Sequence, residues 1–254
     1  MRFNYHKDMY EYVSSQKNKQ FTSSIKNGVN LITNADPKNV VSEQFRTLRT
    51  NINFSAVNHE LKTILITSPE VNEGKSTISA NLAVTWAQQG QKVLFIDADL
   101  RQPTIQNTFG LFNRKGGLST ILSSTKDFDS VVQRSLVNNL AIITSGPTPP
   151  NPAELLASKR MENLLASFRK KYDLVVLDVP PVLPVTDTQV ISAKADGVVL
   201  VVRQGQTQKA AVKRSLELLK MVKANLLGYV LNDVTPKNVL GYGYGYGYSY
   251  SQDT

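Results

Sequence analysis

The sequence predicts an α/β fold, in which a mostly parallel β-sheet carries helices on both faces. Short aliphatic or β-branched runs alternate with longer segments of helical periodicity, and the runs are apolar throughout. Strands buried on both faces are typical of parallel sheets, whose strands are joined by crossover helices. Ligands bind such sheets beyond the carboxyl ends of the strands, and charged residues directly follow two of the runs. We therefore expect the functional residues at that edge.

The first predicted helix begins at Asp36-Pro37, because proline suits the first helical position, and continues to about Ala56. The predicted strands are 63–67, 93–97, 140–144, 174–178, 198–202 and 227–231. The helices predicted among them are 75–89, 152–171, 187–194 and 207–223. This alternation of strand and helix favours parallel neighbours in one sheet.

The chain is predicted to have three parts. Residues 1–35 are polar without a sustained period, which indicates a loosely ordered N-terminal segment, and residues 36–238 form one domain. Residues 239–254 read as a flexible tail in which glycine alternates with tyrosine. Its tyrosines are Tyr242, Tyr244, Tyr246, Tyr248 and Tyr250. Such a tail is either a row of phosphate acceptors or a low-complexity contact segment.

Composition excludes several classes of site. With no cysteine, the chain has no disulfide, thiolate metal site or cysteine nucleophile, and its two histidines argue against a multi-histidine metal site. No apolar run approaches the roughly 20 residues that cross a bilayer, so we expect a cytoplasmic protein. The net charge of +9 is concentrated in two helical segments. Solvated helix faces are the favoured interpretation, and a surface for anionic lipids or nucleic acid is the alternative.

A phosphate-binding loop is predicted between the first strand and the next helix. Gly74-Lys75-Ser76-Thr77 is the end of a P-loop, although Pro69 stands where the first glycine of that motif is expected. Backbone N–H groups at the start of a helix cradle phosphates, the lysine reaches the β- and γ-phosphates, and the Ser76 hydroxyl can hold Mg²⁺. The residues predicted to contact nucleotide are Asn72, Glu73, Gly74, Lys75, Ser76 and Thr77.

Two further elements end in carboxylates. Asp97 and Asp99 follow the second strand on the same side of the chain, and Asp178 ends an aliphatic strand at the position of a Walker B aspartate. These carboxylates suit metal binding or base catalysis, and strand-terminal aspartates can also simply cap the next segment. Together with the loop they predict the P-loop NTPase fold.

These motifs resemble those of the bacterial tyrosine kinases, or BY-kinases, of capsule and exopolysaccharide synthesis. That family combines a Walker A loop, an aliphatic-D-x-D-x-R motif, an aliphatic-D-x-P motif and a terminal tyrosine cluster. They correspond here to the loop ending in Lys75-Ser76, to Asp97-Ala-Asp99-Leu-Arg101, to Asp178-Val-Pro180 and to the tail. The similarity covers about residues 36–250. One departure is Val71-Asn72, where the family often has Pro-Gly; asparagine tolerates left-handed backbone angles, so we expect binding to survive.

The resemblance implies an ATP-dependent protein-tyrosine kinase that phosphorylates its own tail in trans. It implies that Ser76, Asp97 and Asp178 hold Mg²⁺ and that Asp99 accepts the phenolic proton. Arg101 either assists the phosphate charge or braces its loop, and Asn232 occupies a position where related ATPases contact adenine.

The resemblance also implies assembly and partners. Glu43, Arg46 and Arg49 form an E-x-x-R-x-x-R helix that assembles a ring in that family; the alternative is an intrahelical pair of Glu43 and Arg46 on a solvated surface. A separate membrane-embedded chain-length regulator would activate the kinase through its cytoplasmic tail and recruit it to the inner face of the membrane. A cognate phosphotyrosine phosphatase is expected, and nucleic acid is not.

Two rival functions remain open from the sequence. A partitioning or division-type P-loop ATPase carries a signature lysine five residues before the P-loop lysine, where this chain has Glu70. A scaffold switched by nucleotide would use the tail for contacts only.

Overall fold

A seven-stranded sheet organises the part of the chain that the computed structural model describes, residues 28–56, 60–111, 116–124 and 126–234. The strands are β1 Thr63–Thr67, β2 Val93–Asp97, β3 Gln133–Arg134, β4 Leu140–Ile143, β5 Leu174–Asp178, β6 Gly197–Arg203 and β7 Leu226–Asn232. Their order is β3-β4-β2-β5-β1-β6-β7, and among these described strands only the pair β3–β4 is antiparallel. The three strands followed by the predicted site residues, β2, β5 and β1, are therefore adjacent at the centre.

Helices cover both faces of this sheet. They are α1 Ile32–Ala35, α2 Val40–Ser55, α3 Lys75–Gln88, α4 Ile105–Thr108, α5 Leu118–Ser123, α6 Pro152–Ala157, α7 Lys159–Lys171, α8 Asp187–Ser192 and α9 Lys209–Met221. Alternate residues of β1 enter two separate apolar cores: Leu65 joins the one with Phe168 of α7, while Ile64 joins the one with Trp86 of α3. The predicted α/β fold with a mostly parallel, doubly covered sheet is confirmed.

Two helix predictions differ from the structure for local reasons. The helix α2 begins at Val40 because the side chain of Asn39 accepts the N–H of Val41 at 3.0 Å and caps it. The predicted helix 152–171 is two helices, since Ser158 has an extended backbone and caps α7 by accepting the N–H of Met161 at 3.2 Å. The short elements α1, α4, α5 and β3 were not predicted.

Residues 28–35 pack onto the domain, which differs from the expectation for the segment 1–35. Thr33 is buried, and both its N–H and its hydroxyl donate to the side-chain oxygen of Asn81 in α3, at 3.1 and 2.9 Å. The amide of Asn81 also donates to the carbonyl of Asn30 at 2.8 Å. Residues 1–27 lie outside the described residues.

None of the helices in the described part of the chain combines the length and the apolar character needed to cross a bilayer.

Candidate active site

The loop between β1 and α3 has the backbone of a phosphate-binding loop. Gly74 precedes the first residue of α3 with a φ of +90°, and a Cβ atom there would lie 2.3 Å from Nδ2 of Asn232. The position therefore requires glycine for both its conformation and its space. Asn72 has a φ of +63°, the left-handed conformation that asparagine tolerates. The loop leads into the N-terminus of a 14-residue helix, whose free N–H groups favour a phosphate.

Charged side chains from three adjacent strands meet beside this loop. The Nζ of Lys75 lies 2.9 Å from Oδ2 of Asp99 and 3.6 Å from Oδ2 of Asp178. It also lies 3.2 Å from the hydroxyl oxygen of Ser76. Asp97 of β2 is the direct neighbour of Asp178 in β5. The structure therefore brings the predicted lysine together with all three predicted aspartates.

Carboxylates outnumber the lysine in this enclosed site. Asp97 and Asp178 are fully buried, and Asp99 is nearly so. Burial raises the pKa of Asp97 well above its ordinary value, and the charges of Asp178 and Asp99 raise it further. Burial also raises the pKa of Asp178, with Lys75 acting in the opposite direction. For Lys75, burial acts to lower the pKa, but Asp178 and Asp99 outweigh burial, and the lysine stays charged. The excess of negative charge would therefore be neutralised by a bound cation.

The carboxylate of Asp178 suits a bound cation. Its buried oxygens make no hydrogen bond of good geometry with a described residue, although the nearby hydroxyls of Ser76 and Ser79 act to lower its pKa. By contrast, Oδ2 of Asp97 accepts the N–H groups of Thr104 and Ile105 at 3.2 and 3.1 Å. Within the described ranges, no three carboxylate or histidine side chains form a metal site by themselves. A divalent cation would take its other ligands from Ser76, water and phosphate oxygens, as Mg²⁺ commonly does.

Arg101 is held by a residue that the sequence did not reveal. Its Nε and Nη2 donate to the two carboxylate oxygens of Asp187, at 2.9 and 3.0 Å. Asp187 begins α8 and is fully buried, while the side chain of Arg101 is 42% exposed. Hydrogen bonding to Asp187 raises the pKa of Arg101, so the guanidinium remains charged. The two residues are 86 positions apart, and no local pattern connects them.

The ends of β6 and β7 support the phosphate-binding loop from the other side. Thr207 donates its hydroxyl to Oε1 of Glu73 at 2.5 Å, and burial raises the pKa of that glutamate. Asn232 donates its amide to the carbonyl of Glu73 at 2.9 Å, and Arg203 donates to the carbonyl of Asn72 at 3.2 Å. The structure thus places Asn232, the predicted adenine contact, on the loop backbone. Thr207 and Arg203 were missed by sequence reasoning.

Glu73 and Thr77, two of the predicted nucleotide contacts, differ in which of their groups can reach a nucleotide. The side chain of Glu73 is buried and turned to Thr207, so only its backbone is available to a phosphate. Thr77 lies in the first turn of α3, and its carbonyl accepts the amide of Asn81 at 2.9 Å.

The predicted assembly residues do not share one exposed face. Glu43 and Arg46 form an intrahelical ion pair of 2.6 Å, and Arg46 also donates to the carbonyl of Pro37. Arg49 is 8% exposed and donates to the carbonyl of Thr85 at 2.7 Å, because α2 packs on α3 along this side. The predicted phosphate acceptors Tyr242, Tyr244, Tyr246, Tyr248 and Tyr250 lie outside the described residues.

Comparisons with known proteins agree on the kind of domain. A family described as an AAA domain matches residues 61–232. The chain is 47% identical over 203 residues to the tyrosine-protein kinase YwqD of Bacillus subtilis, covering 80% of this chain and 85% of that protein. The solved kinase domain of Escherichia coli tyrosine kinase ETK has a TM-score of 0.79 and 36% identity, covering 85% of each chain.

A division ATPase shares only the fold. The structure of the cell division ATPase MinD of Pyrococcus furiosus has a TM-score of 0.58 at 22% identity, covering 67% of this chain and 71% of that one. The higher identities, and the fuller coverage, lie with the kinases.

Proposed function

Because the chain belongs to the bacterial tyrosine-protein kinases, whose AAA-type domain binds a nucleotide with a divalent metal, we propose that it transfers the γ-phosphoryl group of ATP to tyrosines of its own tail in a neighbouring copy. The observation that supports this most directly is the convergence of Lys75 and three buried carboxylates at the P-loop. A lysine there neutralises phosphates, and a carboxylate there accepts a proton.

The proposed step is an in-line transfer. The phenolic oxygen of a tyrosine bonds to the γ-phosphorus, the bond from that phosphorus to the β–γ bridging oxygen breaks, and ADP leaves. The phenolic proton passes to Asp99. An unperturbed phenol has a pKa of about 10 and is protonated at neutral pH, so a nearby carboxylate assists its attack.

On ATP binding, Lys75 would leave Asp99 for a phosphate of the nucleotide. The Nζ of Lys75 forms a 2.9 Å ion pair with Oδ2 of Asp99. A phosphate at the start of α3 competes for Lys75, because the lysine already lies beside Ser76 in the first turn of that helix. Turning Lys75 to the phosphate frees Asp99 for the phenolic proton, so ATP binding itself prepares the base.

Asp178, Ser76 and Asp97 would hold Mg²⁺, which neutralises charge on the phosphates when bound. Asp178 is the residue best suited to touch the ion, since its oxygens make no hydrogen bond of good geometry with the described residues. Asp97 already accepts three backbone N–H groups, from Asp99, Thr104 and Ile105. It would therefore act through a bound water.

The wider role follows from the family. We propose that the kinase regulates capsule or exopolysaccharide synthesis and export, that copies assemble into a ring, and that the cytoplasmic tail of a membrane chain-length regulator activates it at the inner face of the membrane. A phosphotyrosine phosphatase would reverse the modification. The exposed pair of Glu43 and Arg46 remains available to a neighbouring copy, whereas Arg49 would contribute by holding α2 on α3.

The test is phosphotyrosine formation by the full chain with Mg²⁺, ATP and the cytoplasmic tail of the regulator. Wild type should become labelled, and Lys75→Met should remain folded and unlabelled. Replacing the five tail tyrosines by Phe should remove most of the label and retain transfer to other acceptors.

Two results would overturn the proposal. Labelling that persists in Lys75→Met would place the chemistry elsewhere. ATP hydrolysis without any phosphotyrosine would favour the division-type ATPase.

A further inference from the structure

Asp187 is a fully buried carboxylate that neither the P-loop nor the other motifs include. Both of its oxygens accept hydrogen bonds from the guanidinium of Arg101, at 2.9 and 3.0 Å. A two-point pair of this kind fixes the plane of a guanidinium as well as its position. The orientation of Arg101 is therefore set by Asp187.

The segment that carries Asp187 is itself tied to two central strands. The hydroxyl of Thr188 donates to the carbonyl of Pro180, and the hydroxyl of Thr67 donates to the same carbonyl at 2.8 Å. Thr67 ends β1 before the P-loop, and Pro180 follows the end of β5. The place of Asp187 thus depends on the same strands that place the P-loop and Asp178.

Arg101 lies at the outer rim of the site. Its N–H donates to Oδ1 of Asp99 at 3.3 Å, and the other oxygen of Asp99 is paired with Lys75. The side chain of Arg101 is 42% exposed, whereas that of Asp99 is 5% exposed. The bonds to Asp187 use Nε and Nη2, which leaves Nη1 for an oxygen of a substrate.

We propose that Asp187 is a positioning residue, which holds the guanidinium of Arg101 against the phosphoryl group as that group passes to the acceptor tyrosine. This inference rests on the proposed transfer at Lys75. Arg101 follows the candidate base Asp99 and is not part of the P-loop. We therefore expect Arg101 to act on the transfer step and on the acceptor tyrosine, and to contribute little to ATP binding.

The experiment compares Asp187→Asn, Arg101→Gln and the double variant in the full chain with the regulator's cytoplasmic tail. Each is assayed for phosphotyrosine formation at saturating ATP and for affinity toward a fluorescent ADP analogue. We expect Asp187→Asn to lower kcat by about 10- to 100-fold, as the loss of an orienting partner commonly does. Nucleotide affinity should change by less than about threefold, because uniform binding is left intact. The double variant should be no slower than Arg101→Gln alone, since Asp187 acts through Arg101.

A second variant covers the case in which Asp187→Asn does not fold. Arg101→Lys keeps a cation beside Asp187 and removes the two-point geometry, so it should fold and still lose most of kcat. A matched control is Arg169→Gln, which breaks the 3.1 Å pair of Arg169 with Asp196 at the opposite edge of the sheet. That variant should lower Tm and leave kcat unchanged.

Several outcomes would overturn the inference. They are a wild-type kcat in Arg101→Lys, a kcat loss in Asp187→Asn that adds fully to that of Arg101→Gln, or a lowered Tm in Asp187→Asn with unchanged kcat. Absence of phosphotyrosine in wild type would instead refute the proposed function.

Discussion

Charged clusters lie at both the edge formed by the amino ends of the central strands (the amino edge) and the edge formed by their carboxyl ends (the carboxyl edge). At the amino edge the positive and negative charges are paired, and at the carboxyl edge negative charge is in excess. At the amino edge Arg169 pairs with Asp196 at 3.1 Å, and Lys194 pairs with Glu162 at 2.5 Å. Asp196 also accepts the N–H groups that begin β1, from residues 62 and 63, at 3.0 and 2.7 Å. These charges are partly exposed and complement one another, as expected of a cluster that stabilises the fold.

The carboxyl edge has the opposite character. Asp97, Asp99 and Asp178 are buried with Lys75, and Asp178 makes no hydrogen bond of good geometry with the described residues. The excess of buried carboxylate costs stability, and a cation or a phosphate-bound metal would relieve it. An excess of buried negative charge therefore distinguishes the edge that carries the candidate active site.

A cavity at the amino edge does not mark the active site. A cavity of about 410 Å³ lies at the amino edge, lined by Glu162, Leu165, Arg169, Lys194 and Asp196 among others. Its charged groups already satisfy one another through the two ion pairs. Such a cavity offers a ligand little that the protein does not already supply.

Removing one carboxylate from the carboxyl edge should give the largest effect. Asp178→Asn should slow phosphotyrosine formation by at least about 100-fold, because a group placed for the developing charge is lost. Its free energy of unfolding should be unchanged or higher by about 1 kcal/mol, since like-charge repulsion is relieved. Initial rates and urea unfolding of the same preparation check both parts. A variant that is clearly less stable than wild type would contradict the assignment of excess charge.

The equivalent change at the amino edge should lower the stability of the fold and leave the rate of phosphotyrosine formation unchanged. Asp196→Asn loses the ion pair with Arg169 and weakens the hydrogen bonds to the start of β1, so unfolding should become easier by about 1–3 kcal/mol. The rate per folded molecule should stay at the wild-type value. Urea unfolding and phosphotyrosine rates corrected for the folded fraction measure these two quantities. A slower folded enzyme would show that the two edges are coupled.

The stability of the two edges should respond to pH in opposite directions. The pKa of Asp97 is raised above its ordinary 3.8, mainly by burial, so its ionisation opposes folding increasingly as pH rises above that value. The pKa of Glu162 is lowered from 4.5 to about 2 by hydrogen bonds from Lys159 and Lys194. Its contribution is present above 4.5 and is lost as pH falls toward 2.

Urea unfolding from pH 2 to 8 measures these contributions as differences from wild type. The gain from Asp97→Asn should grow as pH rises, while the loss from Glu162→Gln should shrink as pH falls. Salt should weaken only the Glu162 effect, because that carboxylate is exposed and screened. A gain from Asp97→Asn that stays constant with pH would contradict the shift.

The strands and the P-loop were predictable because their signals are local. Apolar runs gave β1, β2 and β5 at their observed bounds, and glycine before lysine marked the start of α3. Partners distant in the chain were not predictable. Arg49 lies on the predicted arc of α2, but its burial depends on the carbonyl of Thr85, which only the packing of α2 on α3 brings near. The pairing of Asp187 with Arg101 could not be predicted for the same reason, because only the folded sheet brings the two residues together.

The smallest effect should come from two asparagines with the same backbone. Asn72 in the phosphate-binding loop and Asn139 before β4, at the amino edge, both have a φ of +63°. Replacing either by glycine removes a mild conformational strain, and at Asn139 it also removes a long hydrogen bond of 3.4 Å to the carbonyl of Ala87. Each change should alter the free energy of unfolding by less than about 1 kcal/mol. Only Asn72→Gly should also change nucleotide affinity, by up to about fivefold, because 1 kcal/mol corresponds to roughly that factor. Asn139 supports β2 by accepting the N–H of Val93 at 2.9 Å, far from the phosphate site. Titration of both variants with a fluorescent ADP analogue compares them, and equal affinity changes would mean that loop conformation at the carboxyl edge has no special role.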